Sequence, residues 1–481
     1  MSAYTELEAR FKRIAVLTEA TRVLHWDMAT LMPPGGAAPR AEQLAALQVT
    51  CHELITDPAV GELIDAADAA AAELDPWQRA NLREMRRRRA HATALPADLV
   101  EALSKAASAC ETAWRQARAD SDYGAVRPFL RSLLDLVRES AEARAQALGT
   151  SPYDALLDRW EPGARAARID AIFDDLTAFL PGFLKAVLDR QAREPAPLML
   201  DGPFPLDVQC ALARRLCQVV GFDFAHGRLD ESLHPFSGGV PEDARITTRY
   251  DEADFIQGLM AVLHETGHAL YERGRPAAWR YQPVGRARGM ILHESQSLLI
   301  EMQACRSRRF IAYLAPLARD VFGRSGPAWE ADNLYRVLTR VRPGLIRVDA
   351  DEVTYPAHVI LRYRLERAMI AGELGPDDLP AAWNEGMAEL IGVTPPDDRQ
   401  GCLQDIHWYD GAWGYFPTYT LGAMAAAQLF AAVSEAEPEA IAGIGRGDFG
   451  PLRAWLGANV HAKGSLLSTD DLMQEATGRP L

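Results

Sequence analysis

Lysine is scarce in this 481-residue chain, and several features that define a class of protein are missing from it. Only four lysines occur, so arginine carries nearly all the positive charge, and the net charge is −15. An acidic balance of this size argues against a nucleic-acid-binding protein, because such proteins usually carry a basic face. No run of 18 uncharged apolar residues occurs, so we expect no membrane span and no membrane partner.

Cysteine pairs and a targeting segment are also missing. The six cysteines are scattered and form no Cys-x-x-Cys pair. The first six residues are polar and acidic, without the apolar segment of a secretory signal. Both observations favour a cytoplasmic protein with reduced thiols. The apolar content of 48% and the charged content of 24% are ordinary for a globular protein.

Helical periodicity dominates what is present, so we predict a mainly α fold. The exception is residues 225–250, where alternation and β-branched residues predict two antiparallel strands, 227–233 and 244–250, flanking a turn at 237–239. No repeat or long linker marks a boundary. We expect a single domain over 1–481, as one body or as two lobes of about 1–220 and 221–481 around a cleft. The predicted helices are 4–30, 38–57, 76–92, 97–119, 123–148, 165–193, 205–219, 287–312, 327–340, 354–371, 378–392, 417–434, 449–458 and 469–477.

One further helix carries the strongest chemical signal, a His-Glu-x-x-His motif at residues 264–268. Asp251 predicts where this helix begins, and Gly274 followed by Pro276 predicts where it ends. Because residues four apart lie on one helical face, His264 and His268 can bind one metal ion. Glu265 lies about 100° round the helix, within reach of a water at that metal.

A catalytic metal site of this type needs a third protein ligand and leaves one position for water. The next predicted helix offers His293 and Glu294, which point about 100° apart, so only one of them can join the site. Glu294 would complete a His-His-Glu set and follows His268 by 26 residues. An ordinary exposed pair is the alternative for these two residues.

A series of short blocks stands in a fixed order along the chain. The blocks are His25-Trp-Asp27, His234-Pro-Phe236, Asp243-Ala-Arg-Ile-Thr247, the motif at 264–268, His293-Glu-Ser-Gln296, Ile346-Arg-Val-Asp-Ala-Asp351, Gly401-Cys-Leu-Gln-Asp-Ile-His-Trp408 and Gly414-Tyr-Phe-Pro-Thr-Tyr-Thr-Leu-Gly422. No single block is specific, but in their combination and order they resemble the carboxypeptidase Taq family of zinc metallocarboxypeptidases.

The resemblance implies a nearly all-helical clamp- or saddle-shaped body with a deep cleft, similar to neurolysin-type peptidases, and a homodimer. It implies one divalent ion per chain, zinc with cobalt as the alternative, bound by His264, His268 and Glu294. It also implies that Glu265 is the general base and acid of peptide hydrolysis.

Other residues of the blocks carry charges and donors that suit a peptide substrate. The resemblance suggests that Arg347 holds the terminal carboxylate, since its planar fork matches that group; an ion pair within its own block is the alternative. His407 and Tyr419 are candidates for stabilising the oxyanion, or else are buried rings with a satisfied hydrogen bond. His234 is placed near the cleft. Arg245 is the second candidate for the carboxylate, or else a structural pair near the strands.

The predicted function is a metallocarboxypeptidase that removes C-terminal residues one at a time from peptides with a free carboxylate. The first alternative is an endo-oligopeptidase with the same chemistry, and the second is a non-catalytic helical protein with a structural zinc. Glu265 argues against the second, because a structural site needs no general base. The chain departs from the family pattern at Arg288, Ile300 and Pro356.

Overall fold

Helices form most of the protein in the computed structural model, which describes residues 2–232 and 234–481. Within the described part of the chain, none of the helices combines the length and apolar character that crossing a bilayer requires. The α-helices in these residues are α1 (Ala3–Thr30), α2 (Ala37–Thr56), α3 (Pro58–Ala69), α4 (Pro76–Thr93), α5 (Ala97–Asp120), α6 (Tyr123–Leu148), α7 (Pro152–Trp160), α8 (Ala166–Ala192), α9 (Leu206–Val220), α10 (Phe255–Gly274), α11 (Met290–Leu298), α12 (Arg308–Phe322), α13 (Ala331–Leu338), α14 (Tyr355–Ala371), α15 (Leu379–Leu390), α16 (Pro417–Ala436), α17 (Pro438–Ile444), α18 (Gly450–Asn459) and α19 (Thr469–Thr477).

The mainly α fold class is confirmed, and the long helices lie where the sequence predicts them. The predictions over 123–148 and 469–477 coincide with α6 and α19. The single helix predicted over 287–312 is wrong: it is α11, a π-helical segment at Leu299–Cys305, and the beginning of α12. Short 3-10 turns lie at Pro34–Gly36, Ala71–Glu73, Ala277–Trp279, Pro283–Gly285, Pro327–Trp329, Arg347–Asp349 and His461–Lys463.

A small sheet precedes α10, and its pairing differs from the prediction. It contains β1 (Gly227–Glu231), β2 (Ser237–Val240) and β3 (Asp243–Thr248) in the order β1-β3-β2. The predicted turn at 237–239 is the strand β2, which pairs antiparallel with β3, whereas β1 and β3 pair in parallel. Leu233, in the first predicted strand, lies outside the described residues.

The chain divides into two compact units, each assembled from separate segments. The first unit comprises Met1–Ala92, Pro197–Leu338 and Leu421–Leu481, and the second comprises Thr93–Ala196 and Thr339–Thr420. In the first unit, α10 packs against α9, α11 and β3. In the second, α14 packs against α6, α7, α8 and α15. The expected single domain, with lobes meeting near residue 220, stays a prediction.

The contact between α10 and α11 is a direct approach of their backbones. Gly267 lies in the middle of α10, and a Cβ atom on it would stand 2.4 Å from the carbonyl oxygen of Gln296 and 2.6 Å from Cα of Ser297. Both distances are shorter than real Cβ atoms show, and both contacts are with backbone atoms that cannot rotate away. The spacing of these two helices therefore requires glycine at position 267.

We expect Gly267→Ala to lower the midpoint of thermal unfolding. Alanine gains up to about 1 kcal/mol of helix propensity, but overpacking against a fixed backbone costs about 1–3 kcal/mol. Gly182→Ala is the matched control, because Gly182 lies inside α8 with nothing within 4 Å of the added Cβ. The control should unfold at the wild-type temperature or above it. An unchanged midpoint for Gly267→Ala would contradict the close approach.

Candidate metal centre

Helix α10, which carries the His-Glu-x-x-His motif, begins after the N-cap residue Asp254. The carboxylate of Asp254 accepts hydrogen bonds from the backbone N–H groups of Ile256 and Gln257, at 2.9 and 3.3 Å. The predicted cap, Asp251, is wrong by three residues: it accepts a hydrogen bond from the backbone N–H of Ala253 in the preceding turn. The predicted end at Gly274 is confirmed.

His264, His268 and Glu294 converge on one point, as the sequence analysis expected of a metal site. Their candidate ligand atoms all lie within 4.8 Å of one another. Nε2 of His264 is 3.7 Å from one oxygen of Glu294, and Nε2 of His268 is 3.5 Å from the other. A tetrahedral zinc with bonds of about 2.0–2.2 Å separates its ligand atoms by roughly 3.4 Å, so these residues fit such an ion.

Hydrogen bonds on the far side of each ring fix which nitrogen faces the point of convergence. Nδ1 of His268 donates to the carbonyl oxygen of His293 at 3.0 Å. Nδ1 of His264 lies 2.9 Å from a carboxylate oxygen of Glu301, to which it donates. Because both acceptors hold a proton on Nδ1, Nε2 is the nitrogen of each ring that faces the centre and is left to bind a metal ion. This tautomer is the one that binds a metal ion.

Glu301 is a member of the site that the sequence analysis missed. It lies in the π-helical segment Leu299–Cys305, and Nη2 of Arg306 donates to its other oxygen at 2.6 Å. Although burial alone would raise it, Arg306 and the hydrogen bond from His264 lower the pKa of Glu301 to about 2. The carboxylate is therefore a permanent acceptor for the ring of His264.

The side chains of His293 and Glu294 on α11 point in different directions, as those of neighbouring residues on a helix must. Glu294 faces the histidines, whereas Nε2 of His293 lies 3.2 Å from a carboxylate oxygen of Glu272. The His293 ring still packs at 4.5 Å from the ring of His268, measured between centroids. His293 thus supports the centre through its carbonyl and its ring, while its Nε2 points to Glu272.

Glu265 is buried beside the convergent ligands, with 6% of its surface exposed. Burial raises its pKa and the carboxylate of Glu294 adds to the rise, while His264 and His268 oppose it. A carboxylate with a raised pKa is a stronger base than one in water, so Glu265 is suited to accepting a proton.

Arg347, in the second unit, pairs with a residue that its sequence context does not suggest. Its Nε and Nη2 donate to one oxygen of Asp405 at 3.0 and 2.7 Å, and the other oxygen of Asp405 pairs with Nε of Arg362 at 2.6 Å. Although burial opposes it, the two guanidiniums hold the pKa of Asp405 well below its usual range. Arg347 thus forms its ion pair outside its own sequence block, with Asp405.

His407 and Tyr419 lie next to Arg347 in the second unit. Nε2 of His407 is 3.0 Å from the hydroxyl oxygen of Tyr419, and the Arg347 guanidinium stacks over the Tyr419 ring at 4.6 Å. Burial lowers the pKa of His407 to about 3, so its ring is neutral at physiological pH. The structure therefore brings these three predicted residues together.

The remaining two predicted residues lie near the small sheet. His234 is exposed between β1 and β2, and its carbonyl oxygen accepts a hydrogen bond from the Ser232 hydroxyl. Arg245, on β3, pairs with Asp243 at 2.6 Å and stacks over the ring of Trp26 at 4.2 Å. The surroundings of Arg245 are those of a structural pair.

Comparison with known proteins extends the resemblance to nearly the whole chain. The family model of the carboxypeptidase Taq (M32) metallopeptidases matches residues 6–481. A thermostable carboxypeptidase 1 from Thermus thermophilus is 39% identical, over 99% of this chain and 95% of the relative. Carboxypeptidase 1 from Bacillus subtilis is 34% identical, over 98% and 93% of the two chains.

Solved structures agree with the sequences. Metallocarboxypeptidase 1 from Trypanosoma cruzi superposes with a TM-score of 0.97 at 42% identity, covering 100% of this chain and 96% of that one. An M32 carboxypeptidase from Deinococcus radiodurans superposes with a TM-score of 0.94 at 36% identity, covering the same shares of the two chains. The family match, the relatives and the shared fold together show that this chain belongs to the carboxypeptidase Taq (M32) metallopeptidase family and is a metallocarboxypeptidase.

Proposed function

We propose that the protein is a zinc carboxypeptidase in which His264, His268 and Glu294 hold the metal and Glu265 is the general base. The convergence of these three residues, with Nε2 of both rings directed at one point, is the observation that supports the proposal most strongly. Two neutral imidazoles and one carboxylate suit zinc, with cobalt as the alternative. The substrates are peptides with a free C-terminal carboxylate.

Hydrolysis requires a water to lose a proton and the leaving nitrogen to gain one. A divalent ion at this centre supplies Lewis acidity, which acidifies water and polarises the peptide carbonyl. The carboxylate of Glu265 accepts the proton of the attacking water and returns it to the nitrogen as the peptide bond breaks. The raised pKa of Glu265 favours the acceptance, and its burial keeps competing solvent away.

Arg347 is our candidate for reading the substrate's terminal carboxylate. Within the described residues its Nη1 makes no hydrogen bond, while Nε and Nη2 are fixed by Asp405. The guanidinium of Arg347 is thus held in place while its Nη1 stays available to a ligand. Binding through Nη1 then costs the arginine side chain little further conformational entropy. We further propose that His407 and Tyr419 stabilise the oxyanion, with His234 and Arg245 as outer contacts of the substrate.

The oligomer and the compartment are also proposals. All six cysteines are free in the structure, which supports a reducing environment such as the cytoplasm. The homodimer is supported by the family resemblance.

The outer hydrogen bond to His264 should contribute to metal affinity. Glu301→Gln keeps the side chain's size but loses the charge that fixes the ring proton, and we expect zinc affinity to fall about 10–100-fold. Glu294→Ala removes a ligand and should lower affinity further. Equilibrium dialysis gives both values, and circular dichroism checks that the helices persist. Wild-type affinity in Glu301→Gln would remove Glu301 from the site, and wild-type affinity in Glu294→Ala would remove the third ligand.

Glu265→Gln tests the general base. The amide cannot accept the water's proton, so we expect retained zinc and a fall in kcat of about 10²-fold or more. Turnover is measured on a dipeptide or tripeptide substrate with zinc-loaded protein purified free of wild type. Near-normal turnover by that variant would assign the base to another residue.

Arg347→Ala tests the selection of the last peptide bond. We expect kcat/KM for free-carboxylate peptides to fall by an amount equal to about 2–4 kcal/mol, with partial recovery in Arg347→Lys. The wild type should discriminate against amidated peptides, and the alanine variant should lose most of that discrimination. Arg364→Ala, which removes an exposed charge from α14, is the control and should discriminate as the wild type does. An equal loss on both kinds of peptide would make Arg347 structural.

A further inference from the structure

Residues 405–416, which lead into α16, carry side chains of the proposed substrate site. Asp405, which holds Arg347, and His407 lie in this segment, and Tyr419 follows in the first turn of α16. The segment forms neither a helix nor a strand, so no regular ladder of hydrogen bonds fixes its backbone. Other contacts must therefore hold these side chains in place.

Glu366 holds this segment at two points, and both residues belong to the second unit. Glu366 lies on α14 and is fully buried, with 0% of its surface exposed. One carboxylate oxygen accepts hydrogen bonds from the backbone N–H of Gly414 at 2.8 Å and from the hydroxyl of Tyr153 on α7 at 2.7 Å. The other oxygen accepts from the indole N–H of Trp408 at 2.8 Å. One carboxylate thus binds both ends of the turn between Trp408 and Gly414.

The two residues that Glu366 binds are also closely packed. Gly414 has a φ of +84°, and a Cβ atom on it would stand 2.7 Å from the carbonyl carbon of Leu156 on α7. Trp408 is buried, and the ring of Phe416 lies 5.7 Å from its ring and 4.4 Å from the ring of His407, measured between centroids. A shift of Trp408 would therefore move His407 both through the chain and through Phe416.

The donors around Glu366 require both of its oxygens to accept. An indole N–H and a backbone N–H can only donate, whereas the hydroxyl of Tyr153 can donate or accept. No cation pairs with Glu366 in the described part of the chain, so these three hydrogen bonds alone offset the burial of its charge. Burial raises the pKa of Glu366 to about 7, and the three hydrogen bonds oppose that rise. An apolar side chain here would avoid the cost of burial but would leave the N–H groups of Trp408 and Gly414 without an acceptor.

We propose that Glu366 is a positioning residue for His407 and Tyr419. Because Glu366 is buried, it acts through Trp408 and Gly414 and not on the substrate itself. His407 directly precedes Trp408, and the hydroxyl of Tyr419 lies 3.0 Å from Nε2 of His407. This inference rests on the proposed stabilisation of the oxyanion by His407 and Tyr419, which requires both groups to be precisely placed.

Glu366→Gln tests the proposal, because it keeps the size of the side chain. Whichever way the amide turns, its NH2 group meets an N–H group, of either Trp408 or Gly414, and one hydrogen bond is lost. Trp408→Phe keeps an aromatic ring and removes the indole N–H. In the double variant the amide oxygen can accept from Gly414 and Tyr153, while the NH2 group meets no competing donor. Glu373→Gln, which alters an exposed carboxylate just after α14, is the control.

Steady-state kinetics on an N-blocked tripeptide are measured with zinc-loaded protein at a pH above the pKa of Glu366. We expect kcat of Glu366→Gln to fall about tenfold, the scale of one hydrogen bond to a charged group, with little change in KM or in zinc content. The double variant should recover to within about threefold of Trp408→Phe, and Glu373→Gln should match the wild type. If Glu366→Gln lowers kcat equally with and without Trp408→Phe, the proposal is overturned, since a general loss of folded protein would not be rescued.

A second comparison asks whether Glu366 acts through the two proposed oxyanion donors. Glu366→Gln is introduced into a variant that lacks both donors, His407→Ala with Tyr419→Phe. We expect it to lower the remaining kcat by less than about threefold, because the groups that it would displace are already absent. A tenfold loss in this background as well would make Glu366 a structural residue only and would contradict the proposal.

Hydrogen–deuterium exchange on metal-free protein separates this proposal from the proposed chemistry. Because Glu366 accepts from the amide of Gly414, residues 408–414 should exchange about tenfold faster in Glu366→Gln than in the wild type or in Glu373→Gln. Unchanged exchange overturns the positioning role, whatever the kinetics show. Faster exchange together with a wild-type kcat in His407→Ala would place the failure in the proposed function, and the positioning role that rests on it would fall with it.

Discussion

The proposed metal centre depends on one hydrogen bond that crosses the contact between two helices. The ring of His268 on α10 donates to the carbonyl of His293 on α11, and this bond is possible because Gly267 lets the two backbones touch. The next residue after that carbonyl is Glu294, so the bond that orients one ligand also delivers another. Imidazole and carboxylate cannot move independently. The rigidity expected of a catalytic site thus comes from the packing of the α10 backbone against the α11 backbone.

Charged and titratable side chains follow one another along one face of α10. His264 and His268 are each held by an acceptor behind the ring, and Glu272 continues the same face one turn later. Beyond it the local charge is positive, although the chain as a whole carries −15.

The features that the sequence predicted correctly are those set by residues close together along the chain. The motif at 264–268 gives its ligands directly, because spacing of four residues fixes a shared helical face whatever surrounds it. Long helices were found for the same reason, whereas α3, α7 and α17 were missed. These three helices are short, at 12, 9 and 7 residues, and a short helix shows few repeats of the helical period.

Interactions that join distant residues escaped the sequence analysis. The partner of Arg347 is Asp405, 58 residues away, although two aspartates stand within four residues of it. Glu301, which contacts His264, lies in a π-helical segment, for which the sequence offers no periodic signal. The pairing of β1 with β3 skips β2, so alternation alone could reveal strands but not their direction.

The division of the first unit into separate segments has a consequence for synthesis on the ribosome. Its last segment, Leu421–Leu481, supplies Gly422 against the side chain of Glu294, and His461, whose ring nitrogen meets the amide oxygen of Gln296 at 2.9 Å. At about 5–20 residues per second, these residues are synthesised roughly 6–33 s after Glu294. During that interval the nascent chain carries all three proposed ligands without the packing that holds α11 in place. The surroundings of α11 are therefore completed only when the last segment of the first unit has been made.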